Sequence, residues 1–486
     1  MNPFVERLTD LVGAADPDRA LQISVSALIE ANAMRFVLGK DKERWAPGKP
    51  LKLLLAGYVG TRNTGADVRV EEMIRQFRHV IGDDQLEMSV LTSDFELSAG
   101  YFRAVRQVKM PQLFPKFLFD ECPKHHGVVA CEGSMFKSKF ASALTCMMAG
   151  SLGMAAAENK ISVGYGAEAG DMTDSLNDFV RRQCKSSLVI CRNEPSRDVL
   201  GKLGVRTTSG ADTAWTFDCG PLDVGRKMLE KAGWDGKKPV VAVAAINPFW
   251  WPVKPDLVKA AAWRFTGEYK NEHYKSIYFH ESSSDRDEKY EAYIEGIATA
   301  LGAFTQEKNA FPVMIGMEKL DRGACQDISD RLGGEIPMFI SDEHRMYEMI
   351  SVLRNCSQLV SSRFHAIVTS MPGLLPSGGI TMDERIRNLM NDRGQPELFL
   401  EVDDDGLSDR ILSLMRLLDT DAERIADGIG KAIPRQLELM GNMGLEFADE
   451  VQRVYPEFPR KELPRSWEHH LPELPKVVAD ILEKNG

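Results

Sequence analysis

Residues 51–58 (Leu-Lys-Leu-Leu-Leu-Ala-Gly-Tyr) form an almost unbroken apolar run, as a strand does when both faces of its sheet are covered. After a glycine-bearing loop, Val70, Met73, Ile74, Phe77 and Ile81 recur at helical spacing, and Gly82 supplies a stop signal. Strand patterns return at 88–91, 127–131, 161–165 and 187–191. A second series opens after Gly236 with 240–246 and continues with 276–279, 313–317, 338–340, 358–361 and 379–382. Between these lie a helix carrying Tyr290, Tyr293, Ile294, Ile297 and Leu301 and two helices with Asp321 and Asp342 as caps. Strands alternating with helices predict parallel sheets. The chain is therefore expected to be α/β, with two Rossmann-like domains facing a cleft. The expected divisions are a helical extension over 1–48, domains over 49–235 and 236–405, and a helical region over 406–486.

One uncharged run, 140–157, is long enough to raise the question of a membrane span. Its Ala, Ser, Thr, Met and Gly content makes it weakly hydrophobic, which predicts a small-residue helix buried against a sheet. With 60 Lys and Arg against 71 Asp and Glu, the net charge of −11 argues against nucleic acid as a partner. The eight cysteines form no CxxC pair, so neither a disulfide framework nor a structural zinc is expected. The charged residues Glu6, Arg7 and Asp10 interrupt any leader-like apolar core, which points to the cytoplasm, with a peripheral place at the inner membrane face left open.

Open parallel sheets bind ligands at the carboxyl ends of their strands, so the segments following the strands are the places to look for chemistry. The first is Gly57-Tyr58-Val59-Gly60-Thr61-Arg62-Asn63-Thr64-Gly65-Ala66-Asp67. It is neither GxGxxG nor a P-loop, and both a tight turn and a ligand-lining loop fit it. In Cys131-Glu132-Gly133-Ser134, Glu132 is a candidate base, with capping or ion pairing as the plainer role. Arg192, leaving a strand just before Pro195, offers a planar fork for phosphate or carboxylate, or an ordinary ion pair. In Ser361-Ser362-Arg363-Phe364-His365, a cation and an imidazole converge where a helix begins. Phe249-Trp250-Trp251 suits either a sugar platform or a packed corner. His125-His126 reads as a solvated turn, and His280-Glu281 lacks the second histidine of a metalloprotease motif.

Taken in order, the first loop (Gly57, Gly60, Asn63, Gly65), Gly133-Ser134, Arg192 to Ser196, Gly210-Ala211-Asp212-Thr213-Ala214 and Arg363-Phe364-His365-Ala366 resemble the polysaccharide pyruvyl transferase family over roughly residues 51 to 400. The resemblance implies a GT-B-like architecture and transfer of pyruvate from phosphoenolpyruvate to a sugar, lipid-linked sugar or glycan as a ketal. It also implies His365 as general acid/base and Arg363 and Arg192 on the donor anion; the strand-end reading, independent of the family, adds Glu132 as a further catalytic candidate and Asn63, Gly60, Gly65, Ser134 and Ser362 as candidates around the substrates. Phosphoenolpyruvate would be a substrate, and no cofactor or metal is called for. The chain departs from the family at Cys131-Glu132 and at Gly65-Ala66-Asp67. A nucleotide-sugar glycosyltransferase and a non-catalytic glycan-binding protein of the same fold are the rival readings.

Overall fold

A computed structural model of the chain describes residues 16–39, 43–102, 104–266 and 277–486. Seven parallel strands build the first sheet: β1 (Leu51–Ala56), β2 (Leu86–Thr92), β3 (Arg106–Lys109), β4 (Gly127–Ala130), β5 (Ile161–Ala167), β6 (Leu188–Cys191) and β7 (Arg206–Ser209). Their order is β3-β2-β1-β4-β5-β6-β7. β8 (Val240–Ala244) starts the second domain, and β9 (Val253–Pro255) and β10 (Tyr278–His280) form a separate antiparallel pair. β11 (Phe311–Gly316), β12 (Met338–Ile340), β13 (Gln358–Ser361), β14 (Ser377–Thr381) and β15 (Phe399–Glu401) complete the second parallel sheet, ordered β12-β11-β8-β13-β14-β15. The two Rossmann-like domains expected from the alternation are thus present.

In each sheet the strand order reverses once, between β1 and β4 in the first and between β8 and β13 in the second. At such a reversal the crossovers leave on opposite faces and a crevice opens at the carboxyl ends. Here the two crevices meet: Thr64 N–H, beyond β1, donates to Met317 O, beyond β11, at 2.8 Å. Both reversals therefore contribute to one seam between the domains.

The uncharged run forms the helix Ser142–Ala157, buried against the sheet and against the N-terminal helix Pro17–Val37. Its small residues are needed there. A Cβ at Gly150 would lie 2.6 Å from Val25, and one at Gly153 would lie 2.8 Å from Ile29. No described helix is long and apolar enough to cross a membrane.

Three expectations are corrected. The strand read over 276–279 begins at Tyr278 and lies outside the second sheet, paired with β9; residue 276 is outside the described residues. Asp342 does not cap the helix Met346–Leu353: Glu348 accepts from Arg345 N–H at 2.8 Å, while Asp342 takes Arg322 at 2.7 Å. His125 and His126 are buried, not solvated. His126 Nδ1 accepts from Lys52 N–H at 2.9 Å, and burial lowers its pKa to about 4.

Beyond Asp405 the chain is helical at Leu407–Thr420, Ala422–Val454 and Lys476–Asn485, with a largely irregular stretch between the last two. The Ala422–Val454 helix joins the domains. Near its start, Ile425 O accepts from Gln395 Nε2 at 3.2 Å in the second domain. Farther on, Met440 O accepts from Gln76 Nε2 at 2.7 Å, and Phe447 stacks on Phe77 with centroids 4.1 Å apart, both in the first. Pro434 lies inside this helix, between the two sets of contacts.

Candidate active site

His365 stands in the first turn of the helix Phe364–Ser370, directly after β13. Its Nε2 lies 3.3 Å from Asp212 Oδ2, which belongs to the other domain. The same carboxylate oxygen receives Arg69 Nε at 3.0 Å and Arg192 Nη1 at 2.9 Å. Arg192 also pairs with Glu168, and its guanidinium lies 4.5 Å from the Phe364 ring centroid. Glu168 in turn receives Lys137 Nζ at 2.8 Å, and Lys137 reaches across the seam to Glu384 at 2.6 Å. A chain of charges therefore leaves the second domain at His365, runs through the first and returns at Glu384.

The electrostatics follow from burial. Burial alone would raise the Asp212 carboxyl, but Arg69, His365 and Arg192 hold it well below the usual carboxylate range. His365 is lowered, first by burial and then by Arg69 and Arg192, with Asp212 opposing. It is therefore a neutral imidazole at pH 7. With Nε2–H assigned to the carboxylate, Nδ1 keeps its lone pair. That nitrogen faces Gly65, where a Cβ would lie only 2.2 Å from it.

This close approach makes Gly65→Ala informative. Gly65 sits in the helix Thr64–Ile81 without a positive φ, so the substitution acts through the clash and not through backbone strain. The variant is expected to fold and to push the imidazole away from Asp212. Nitrogen-15 spectra of the histidine rings would then show the His365 resonances shifted, and unchanged resonances would refute the packing.

Arg363 has a separate environment. Its Nε donates to Asp321 Oδ2 at 2.8 Å and its Nη2 to Glu318 Oε2 at 2.9 Å. Glu318 is shared across the seam, accepting from Tyr58 Oη–H at 3.0 Å and from Asn63 Nδ2 at 3.2 Å. Burial raises Asp321 to about 6 against the pull of Arg363. Arg363 and Asn63 thus meet at Glu318, whereas His365 and Arg192 meet at Asp212, with Gly65 against the other side of the imidazole.

The remaining candidates divide. Asn63 also caps the Thr64–Ile81 helix through Ala66 N–H at 3.1 Å. Gly60, at φ +87°, makes a tight turn against β2, and Ser93 Oγ–H donates to its carbonyl at 2.8 Å. Ser362 turns into the second domain, with its Oγ 2.8 Å from Tyr293 Oη. Glu132 Oε1 accepts from Gly133 N–H at 2.8 Å, and its buried Oε2 has no hydrogen-bond partner. Ser134 is half-buried in the same turn. Close by, Asp67 is held well above the usual carboxylate range by burial, with Glu71, Glu318 and Glu132 adding and Arg62 opposing.

Residues 148–371 match the family model of polysaccharide pyruvyl transferase. The resemblance read from the motifs is borne out there. The match spans a little under half of the chain. It takes in Arg192, Asp212, Arg363 and His365 and leaves out the loop after β1 and Glu132. No curated protein matches the chain. Among solved structures, a glycosyltransferase from Rickettsia africae is 9% identical over 84% of this chain and 100% of its own, with a TM-score of 0.50. UDP-GlcNAc 2-epimerase from Neisseria meningitidis, bound to UDP-GlcNAc, is 11% identical over 83% and 100%, with a TM-score of 0.49. A putative UDP-N-acetylglucosamine 2-epimerase from Listeria monocytogenes is 10% identical over 85% and 100%, also at 0.49. At such identities the glycosyltransferase likeness concerns the fold alone, which is GT-B-like.

Several members of the site escape a reading of strand ends. Asp212 lies within a quoted segment but carries no local sign of its role. Arg69 shares a helix face with Met73 and Gln76, and a charge on that buried face was its only signal. Glu318, Asp321, Glu168 and Lys137 are indistinguishable in sequence from surface charges. A groove of about 770 Å³ lined by Lys52, Glu87, Arg106 and His125 opens at the amino ends of β1–β4, away from this site. Among the described residues, no group of three or more His, Cys, Asp or Glu side chains is arranged to hold a metal ion.

Proposed function

We propose that the chain transfers pyruvate from phosphoenolpyruvate to two hydroxyls of a sugar or glycan, forming a ketal, with His365 moving the protons. The observation that carries this reading is the contact between a neutral imidazole and Asp212 in the seam, within a family match that includes both residues. The methylene carbon of the donor gains a proton, and a sugar hydroxyl attacks the adjacent carbon. The bond from that carbon to the phosphate oxygen breaks, and a second hydroxyl forms the other ketal bond. One hydroxyl proton ends on the new methyl group and the other on phosphate. The His365 imidazole accepts the first and returns it. Asp212 keeps the ring oriented and stabilises its protonated form.

Arg192 and Arg363 supply positive charge for the phosphate and carboxylate of the donor. Both are already paired, with Glu168 and Asp212 and with Glu318 and Asp321. An incoming anion would therefore take over existing bonds instead of meeting bare cations. Asp321, raised by burial to about 6, would loosen its hold on Arg363 on mild acidification.

Donor identity is the test. Phosphoenolpyruvate is expected to raise the melting temperature of the protein, whereas UDP- and GDP-sugars leave it unchanged. Stabilisation by a nucleotide sugar alone would replace this reading with that of a glycosyltransferase.

A further inference from the structure

We propose that Trp250 and Trp251 form a stacking platform for a hexopyranose ring of the acceptor at the mouth of the seam. This rests on the pyruvyl-transfer reading of the same site and adds to it where the sugar lies.

The chain path brings the two tryptophans there. β8 pairs with β13, Ala244 opposite Ser361, and Ser362 N–H donates to Ala244 O at 2.9 Å. The residues following β8 therefore leave the sheet beside those leading to His365. Trp250 stacks on His280 with centroids 4.3 Å apart and planes at 15°. Trp251 meets His280 edge-on at 5.2 Å and, across the seam, Phe140 edge-on at 5.4 Å. Val253 N–H donates to Phe140 O at 3.0 Å, which fixes this corner to the first domain.

Two features separate a platform from a packed corner. Both indoles remain partly exposed, although the strand that delivers them is wholly buried. The Trp251 Nε1–H is also buried with no acceptor among the described residues, so a ligand oxygen reaching this corner would relieve a cost that a folded protein usually avoids. Sugar rings present an apolar C–H face to stack and hydroxyls to accept such a bond.

The platform is also continuous with the charged site. Arg385 lies 4.7 Å from the Phe140 ring centroid, and its charge acts on Arg192. A sugar on the indoles would thus lie beside the Phe140–Arg385 corner, whose charge acts on Arg192.

Saturation-transfer NMR with the methyl glycosides of glucose, galactose, mannose and N-acetylglucosamine tests this. At least one glycoside should show transfer to its ring C–H protons. Trp250→Ala should weaken that binding about tenfold, the loss expected for one stacked ring. Trp250→Phe, which keeps a ring on His280, should retain most of it and guards against an alanine variant that misfolds. No glycoside binding by the wild-type protein, or equal binding by the alanine variant, would overturn the platform. In parallel, wild-type protein is titrated with phosphoenolpyruvate. Glycoside binding through Trp250 without a phosphoenolpyruvate response would leave the platform standing and remove the donor reading.

Discussion

Replacing Asp212 with asparagine is expected to lower folding stability by about 3–5 kcal/mol, the loss typical when one partner of a buried ion pair is removed. The carboxylate is 3% exposed and carries two guanidinium groups and an imidazole on one oxygen. Arg192 would still have Glu168, but Arg69 would be left with backbone carbonyls alone, Cys131 O at 3.2 Å and Gly166 O at 2.8 Å. Its charge would then be buried without a counterion. Urea unfolding of wild type and variant measures the loss. Glu438→Gln serves as the control, since it breaks an exposed pair with Arg435 and should change stability by less than about 1 kcal/mol. A fall no larger than the control's would show that Asp212 does not neutralise the cluster. Because its pKa is depressed in the folded state, the Asp212 contribution is complete above its ordinary value near 3.8 and is lost only as pH falls below that.

The largest effect on turnover is expected from His365→Ala, which should reduce phosphoenolpyruvate-dependent phosphate release by about 10²–10⁴-fold, the usual contribution of a positioned acid/base. The imidazole makes no ion pair with Arg192 or Arg363, which keep their acidic partners in the variant. Donor binding should therefore largely survive, whereas Arg363→Ala should weaken it. Phosphate release and isothermal titration with phosphoenolpyruvate separate the two outcomes. Equal turnover in wild type and His365→Ala would remove the histidine from the chemistry.

The parts of the fold legible in the sequence are those where burial is two-sided. β1, β4, β5 and β8 lie inside their sheets, covered on both faces, and appear as apolar runs. β3 (Arg-Gln-Val-Lys) and β7 (Arg-Thr-Thr-Ser) are the two edges of the first sheet and are half-solvated, so neither pattern nor composition marks them. The same contrast governs the site. Arg363 and His365 stand two residues apart at one strand end, and their proximity is local. Asp212 and His365, or Asn63 and Glu318, meet only because two domains close on one another, and no short window of sequence contains that fact. Lys137 shows the cost: among Lys137, Lys139 and Phe140 it resembles a solvated cation, yet it is buried, with a pKa lowered to about 8 by desolvation.

The helix Ala422–Val454 gives the domains a second covalent crossing besides the chain leading into β8. Two crossings define an axis, so rotation about it is far easier than sliding or wide separation. Proline has no amide hydrogen, so Pro434 leaves the Gly430 carbonyl without its usual intrahelical donor, between the contacts to one domain and those to the other. The cheapest place for this rod to bend is thus between its anchors in the two domains, where a rocking motion would load it.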